Sequence, residues 1–375
     1  MGTIGYLTTI DFDFGAIKNL KGAVDALGIK KPLLVTDAGV QGAGLAAKIH
    51  EQLDGLPLEI FADTPPNPTE EAVLAGVAAY QAAGCDGIVA LGGGSPMDLA
   101  KGVALAATHP DPLETYAAIR NGVGRITSAV APVIAIPTTA GTGSEVGRGA
   151  LINLSNGSKL ALISPHLIPK RAICDPELTL GLPPVLTAAT GIDALTHCVE
   201  TYLSPLVNPP AEAIALDGAY RAWHFIRRAV ANGADREARW EMMMAALEGG
   251  MTFQKGLGAV HSLSHAAGAL RQPVLHHGML NGVFLPHILR FNADHVGQKY
   301  TRLREVFGLG ANADLADAVF SLVGDLGLPQ TLGAMGFEAR HIDETVTRAL
   351  ADHSNGTTPR KASAEEFAGL LRAAL

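Results

Sequence analysis

The segment GIDALTHCVE (residues 191–200) places Asp193 and His197 four positions apart in a run that is otherwise mostly apolar. Four residues is about one helical turn, so both side chains fall on one face. A carboxylate in apolar surroundings is costly unless it is paired or coordinates a cation. Further along, GLGAVHSLSHAAGAL (256–270) carries His261 and His265 at the same spacing, and VLHHGMLNGVFLPH (274–287) puts His276 and His277 just ahead of another expected helix. Asp193, His197, His261 and His277 can therefore converge from separate helices of one bundle. One carboxylate and three neutral imidazoles suit Zn²⁺ or Fe²⁺, and coordination would neutralise the buried charge. The chain has 13 histidines, and the competing reading is a set of surface or hydrogen-bonded core histidines. Cys198 follows His197 directly and is expected to point away from it.

A second chemistry lies upstream. In ALGGGSPMDLAKG (90–102) a strand is expected to run into three glycines and then into a helix, with Ser95 at the N-cap, Pro96 at the first helical position and Asp98 two residues further. Glycines let the backbone approach a ligand, and a helix N-terminus offers free N–H groups and a positive dipole end, which together make a phosphate site. A tight turn that needs glycine for geometry alone is the alternative. The spacing is neither G-x-G-x-x-G nor a Walker loop. IPTTAGTGSEVG (136–147) is another glycine-punctuated loop leaving a strand, with hydroxyls at Thr138, Thr139, Thr142 and Ser144. Two such loops at one edge of a parallel sheet suggest a dinucleotide. Asp37, at the end of the run LLVTD, can accept from a ribose hydroxyl and repel a 2′-phosphate, or can simply cap the next helix.

The elements that must position these residues alternate through the first half. Strands are expected at 31–37, 58–63, 87–94 and 132–139, with helices at 40–53, 69–83 and from Ser95 onward. This is the pattern of a parallel sheet covered on both faces. Residues 150–164 read as a hairpin turning at Asn156-Gly157, and 171–175 as a last strand. Past Leu182-Pro183-Pro184 the apolar residues recur at helical spacing almost to the end. The expectation is an α/β dinucleotide-binding domain over 1–182 and an all-α metal-binding domain over 183–375, with a ligand cleft between them. The chain has 375 residues, 48% hydrophobic and 17% charged, with net charge −8 and mean hydropathy +0.23. The acidic balance without a basic cluster argues against nucleic acid, and no apolar run reaches membrane-spanning length. The opening MGTIGYLTTIDFDFG lacks a basic segment followed by an apolar one, and Cys85, Cys174 and Cys198 form no C-x-x-C pair, so a cytoplasmic chain with reduced thiols is expected.

Four segments in order, GGGSPMDLAK, PTTAGTGSEV, GIDALTHCVE and GAVHSLSHAAGAL…HHGMLNGVFLPHILRFN, make the chain resemble the iron-containing (group III) alcohol dehydrogenase family over essentially its full length. The resemblance implies a dinucleotide domain, a helical metal domain and a dimer, in which the unpaired strand expected at 3–12 would meet its counterpart. It implies metal ligands Asp193, His197, His261 and His277, with Fe²⁺ (or Zn²⁺) as the ion, and a non-ligating His265 near the nicotinamide. NAD would lie on Gly93, Gly94, Ser95, Asp98, Thr138, Thr139, Thr142, Ser144, Lys159 and Leu178, with Asp37 at the adenosine ribose. Two features depart from the family: His261 and His277 are sixteen apart, so His276 competes as fourth ligand, and Lys255 stands where many members have small or amide residues. Gly278 favours His277. The implied reaction is reversible hydride transfer between a primary alcohol and its aldehyde, the metal acting as Lewis acid and His265 passing the alcohol proton towards solvent. Lys255 is read either as a surface residue or as the anchor of an anionic substrate such as an ω-hydroxy acid. A glycerol-dehydrogenase-like zinc enzyme is the alternative. A dehydroquinate-synthase-like lyase fits poorly, because only Lys255, Arg148 and Arg271 could meet a polyanion, and a non-catalytic metal- and NAD-binding protein would waste an intact ligand set.

Overall fold

The computed structural model describes residues 8–155 and 159–375. They form two compact units. One comprises residues 8–139 with Gly143–Gly181, and the other Ala140–Thr142 with Leu182–Leu375.

The first unit is built on eight strands: β1 Thr9–Phe12, β2 Pro32–Val35, β3 Glu59–Phe61, β4 Gly87–Gly92, β5 Val133–Pro137, β6 Gly149–Asn153, β7 Lys159–Ile163 and β8 Arg171–Cys174. Six of them make one parallel sheet in the order β1-β8-β5-β4-β2-β3, while β6 and β7 pair antiparallel as a separate ribbon. Successive residues of a strand face opposite sides, and the packing follows that period. Leu33 and Val35 of β2 join Ile88 and Ala90 of β4 in a core with Val73, Leu99 and Val103. Leu34, Val89 and Leu91, with Ile134, Ile136 and Ile173, pack on the other face against Leu20, Val24 and Ile49. A sheet buried on both faces needs near-continuous apolar strands, which is why these runs read as blocks rather than alternations.

Three expectations change in detail. The helix expected over 40–53 is two, Ala38–Gly42 and Leu45–Glu51, because Gly44 adopts φ +76° between them and breaks the hydrogen-bond ladder. The strand expected over 3–12 is observed at Thr9–Phe12, and it has a partner, pairing parallel with β8; residues 3–7 lie outside the described residues, as does the Asn156-Gly157 turn. The helix after β4 starts at Gly94 with Gly93 as N-cap, so Ser95 is not the cap. Gly92 takes φ +147° and turns the chain early, and a Cβ there would sit 2.6 Å from Pro96.

The second unit is helical, with no strand among its described residues. Pro184–Leu203 is its central helix, buried along nearly its whole length. Pro209–Ala231, Arg236–Met251 and His277–Asn292 pack around it, and the short helix Ala259–Gly268 is wholly buried. Side-chain caps from Asn208 and Asp235 accept from Ala211 and Ala238 and start two of these helices.

Candidate active site

Within the helical unit the four sequence-derived donors come together. Asp193 and His197 stand one turn apart on Pro184–Leu203, His261 lies on Ala259–Gly268, and His277 opens His277–Asn292. The Nε2 atoms of His197, His261 and His277 lie 3.6, 3.7 and 3.5 Å from the same atom, Asp193 Oδ1. Donors around a tetrahedral cation at about 2.1 Å must be separated by about 3.4 Å, so the spacing matches a coordination shell. His276 is the residue preceding that last helix, and it is His277 that faces Asp193.

The surroundings fit a cation as well. Asn281 sends its Nδ2 into the same space, 2.7 Å from Asp193 Oδ1 and 3.4 and 3.3 Å from the Nε2 atoms of His261 and His277. Its own buried Oδ1 has no partner. The Asp193 oxygen and the imidazole nitrogens thus face one space, where a cation would meet all four of them. His197 Nδ1 lies 3.3 Å from Gly141 O; donating there leaves Nε2 as the free donor atom. Burial pushes the His197 imidazole down to about 4, so it is neutral as a ligand must be. Burial would raise the Asp193 carboxyl, but His197, His277 and His261 around it hold it well below the usual carboxylate range. His277 is the exposed member, its side chain 29% accessible against 1–5% for the other three, so the site opens at His277.

His265, one turn beyond His261, stands beside the cluster. Its ring stacks on His277 with centroids 5.3 Å apart and meets His261 edge-on at 5.6 Å. Its Nδ1 pairs with Asp352 Oδ2 at 3.1 Å, and its ring also stacks on His353 with centroids 5.7 Å apart. Burial would raise the Asp352 carboxyl, but His265 and His353 with the Ser354 backbone N–H hold it far down.

Lys255 is neither on the surface nor among these histidines. It is fully buried, and its Nζ donates to Glu212 Oε1 at 2.6 Å, where Lys299 also binds. Lys299 in turn caps the carbonyls of Tyr202 and Ser204. Those residues lie roughly 8–10 Å past His197 along the helix at 1.5 Å per residue. The ammonium is already neutralised, which removes the reason for reading it as an anion anchor.

In the strand-rich unit, Gly93 and Gly94 begin the helix after β4, and a Cβ on Gly93 would come 3.2 Å from Thr139 Oγ1. Thr138 donates its backbone N–H to Gly92 O, tying the two glycine loops together. Ser95 Oγ donates to Pro66 O, and Asp98 accepts from Ser144 Oγ and from Leu151 N. Lys101, buried, ties Ser144 O and Oγ to the carbonyls of Gly147 and Gly149. Asp98 and Ser144 therefore fix the second loop from below, and burial pushes Lys101 down to about 8. Leu178 packs in the core, Lys159 opens β7, and Thr142 groups with the helical unit. Asp37 Oδ1 accepts from Val40 N as a helix cap, which leaves Oδ2 without a cap bond.

Sequence reasoning passed over three polar residues at this site, Glu200 and Asn281 buried and Asp352 partly buried. Glu200 follows His197 by three and Asp193 by seven, so helical periodicity already placed it on their face, and Asn281 follows His277 by four. Asp352 is 87 residues from His265, and no local spacing could reveal it.

Comparison with known proteins identifies the family. The model of "Iron-containing alcohol dehydrogenase" matches residues 8–176, and that of "Fe-containing alcohol dehydrogenase family, C-terminal" matches residues 187–375. The chain is 52% identical to a 4-hydroxybutyrate dehydrogenase of Cupriavidus necator, covering 99% of both chains. Its structure resembles that of a 1,3-propanediol oxidoreductase, with TM-score 0.93 and 35% identity over 100% of both chains. It also resembles a sulfoacetaldehyde reductase from Bifidobacterium kashiwanohense solved with NAD⁺, with TM-score 0.89 and 27% identity over 100% of this chain and 98% of the other.

Proposed function

The chain belongs to the iron-containing alcohol dehydrogenase family, and from that premise we propose that it interconverts an ω-hydroxy acid such as 4-hydroxybutanoate and its semialdehyde with NAD(H). That it is an oxidoreductase interconverting alcohols and aldehydes follows from family and full-length similarity. The observation that carries the reading is the convergence of three imidazole nitrogens on Asp193 Oδ1. The acid class of substrate is supported by the 52% identity to a 4-hydroxybutyrate dehydrogenase.

Asp193, His197, His261 and His277 would hold a divalent iron, with zinc as the competing ion for such donors. When bound, the metal supplies a Lewis acid that polarises the substrate oxygen, and NAD supplies the hydride acceptor. The protein's part is positional. Gly141 O orients His197, and the exposed edge at His277 leaves the substrate a way in. Asp352 takes the Nδ1 proton of His265 in a hydrogen bond, which leaves His265 Nε2 to receive the alcohol proton, with the stacked His353 on the solvent side. In the strand-rich unit the Gly93-Gly94-Ser95 helix start offers backbone N–H groups to the cofactor phosphates, Thr138, Thr139 and Lys159 line the same cofactor, and Asp37 Oδ2 accepts from the adenosine ribose.

β1 and β3 are the two outer strands of the six-stranded sheet. We read the protein as a homodimer, as the family resemblance implies, to be checked by sedimentation at micromolar concentration. Three buried free thiols favour a cytoplasmic setting, and no helix of the described residues is long and apolar enough to cross a membrane.

The test is NADH oxidation at 340 nm with metal-loaded protein, comparing succinic semialdehyde with butanal. At least tenfold higher kcat/KM for the acid is expected. Equal values would return the protein to a general aldehyde reductase, and no turnover of any aldehyde or alcohol would overturn the enzyme reading.

A further inference from the structure

Glu200 is a buried acid, 5% exposed, that the reaction described above does not use. It sits on Pro184–Leu203, the helix of Asp193 and His197, yet every group it binds belongs to the helix of His261. Its Oε1 accepts from Val260 N at 2.7 Å, and its Oε2 lies 2.6 Å from His261 Nδ1 and accepts from His261 N at 3.3 Å. The carboxylate thus caps the N-terminus of Ala259–Gly268, where negative charge is favoured. Gly258 makes room for it: a Cβ there would stand 2.7 Å from Oε1.

We propose that Glu200 is a positioning residue that sets metal affinity, by holding His261 in the tautomer whose Nε2 carries the free lone pair. The inference rests on the assignment of Asp193, His197, His261 and His277 as ligands. His261 Nδ1 is the ring atom that points away from Asp193, while Nε2 points toward it at 3.7 Å. With Nδ1–H donating to Glu200, Nε2 must be the acceptor, and the carboxylate also makes the imidazole a stronger donor to a cation. Without that partner the neutral ring is free to protonate at Nε2, which faces the metal and cannot then bind it.

The chemistry also says why the residue is an acid rather than an amide. Val260 N–H and His261 Nδ1–H both require acceptors, one at each terminal atom of residue 200. A carboxylate offers two. Glutamine offers one acceptor and one donor, so either its NH₂ opposes the Val260 N–H, or it faces His261 Nδ1 and selects the wrong tautomer. The same carboxylate couples two ligand-bearing helices, so the spacing of His261 from Asp193 and His197 is fixed through it.

The experiment starts from the zinc-loaded full chain and measures Zn²⁺ affinity by competition with a chromophoric chelator, alongside melting of the zinc-free forms. Glu200→Gln is expected to weaken zinc by about 10- to 100-fold, the usual size of such outer partners, with zinc-free melting within a few degrees of wild type and with activity regained at saturating metal. Glu200→Asp keeps two acceptors and is expected to recover most of that loss. Wild-type affinity in Glu200→Gln overturns the inference, and so does Glu200→Asp binding as weakly as Glu200→Gln. Asp193→Ala separates the two levels: if it too keeps wild-type zinc affinity, the ligand assignment fails, whereas zinc loss in Asp193→Ala beside unchanged Glu200→Gln defeats only the role of Glu200.

Discussion

Glu145 lies in the loop that follows β5 and is 2% exposed. Burial pushes its carboxyl up from 4.5 to about 7, against its own backbone N–H and the Lys101 ammonium, which both pull it down. A carboxyl whose folded value is raised destabilises the fold where it must ionise. Below pH 4.5 it is protonated folded or unfolded, and it costs nothing. Between 4.5 and 7 the folded protein holds a proton that the unfolded chain has released, so stability falls as pH rises. Above 7 the penalty is complete, and a shift of this size at 1.36 kcal/mol per pH unit amounts to about 3 kcal/mol. Glu145→Gln has no such dependence. Its stability relative to wild type should therefore climb by about 3 kcal/mol between pH 4.5 and 8, a widening of roughly 6–12 °C in Tm for a domain of this size. Calorimetry is the assay, because Trp223 and Trp240 both belong to the helical unit and fluorescence would not follow the loop. A gap between variant and wild type that stays constant or narrows as pH rises would refute the reasoning.

Asp193→Ala and His261→Ala should each lose bound metal and at least 10³-fold of activity, on the scale of removing a transition-state electrostatic donor, while NAD affinity by fluorescence titration stays within a few-fold; full metal content in both would sink the site. Asp37→Gly should raise activity with NADP relative to NAD by about tenfold or more, the size of one lost charge contact, and a wild type that already prefers NADP would show the ribose is not held there. Lys255→Met should cost on the order of 2 kcal/mol, between an exposed and a buried ion pair, and change KM for succinic semialdehyde and butanal alike; a selective rise for the acid would restore the anion-anchor reading.

What was legible in the sequence follows from interaction range. Block-apolar strands state that both faces of their sheet are buried, so the order of strands and helices could be read directly, and Asp193 with His197 announced a candidate site because four residues is one turn. Local geometry set by a single backbone angle was harder. Gly44 splits a helix that composition alone would continue, and Gly92 moves a helix start so that Ser95, in sequence an ideal cap, binds Pro66 O instead. Long-range pairings without a shared residue type to announce them could not be read, as for Asp352 with His265 and Glu212 with Lys255.

Lys255 and Asp193 looked alike as residues, each a charge in an apolar run, and the structure separates them by how their partners close. Around Lys255 the ion pair closes on itself: Nζ to Glu212 at 2.6 Å, with Lys299 on the same oxygen at 3.1 Å and on two helix-end carbonyls. Nothing remains for a ligand to satisfy, and the cluster is a tie between a helix end and its neighbours. Around Asp193 no imidazole comes closer than 3.5 Å to the oxygen they share. That is too long for a hydrogen bond between them and right for donors that share a cation. The nitrogens that could have closed the gap are turned to it by their far sides, His197 through Gly141 O and His261 through Glu200. Asn281 Nδ2 reaches Asp193 Oδ1 at 2.7 Å, while the three rings stand back. Three imidazole nitrogens at 3.5–3.7 Å from one oxygen have the spacing that a shared cation would take, and Glu200 links two of the helices that carry them.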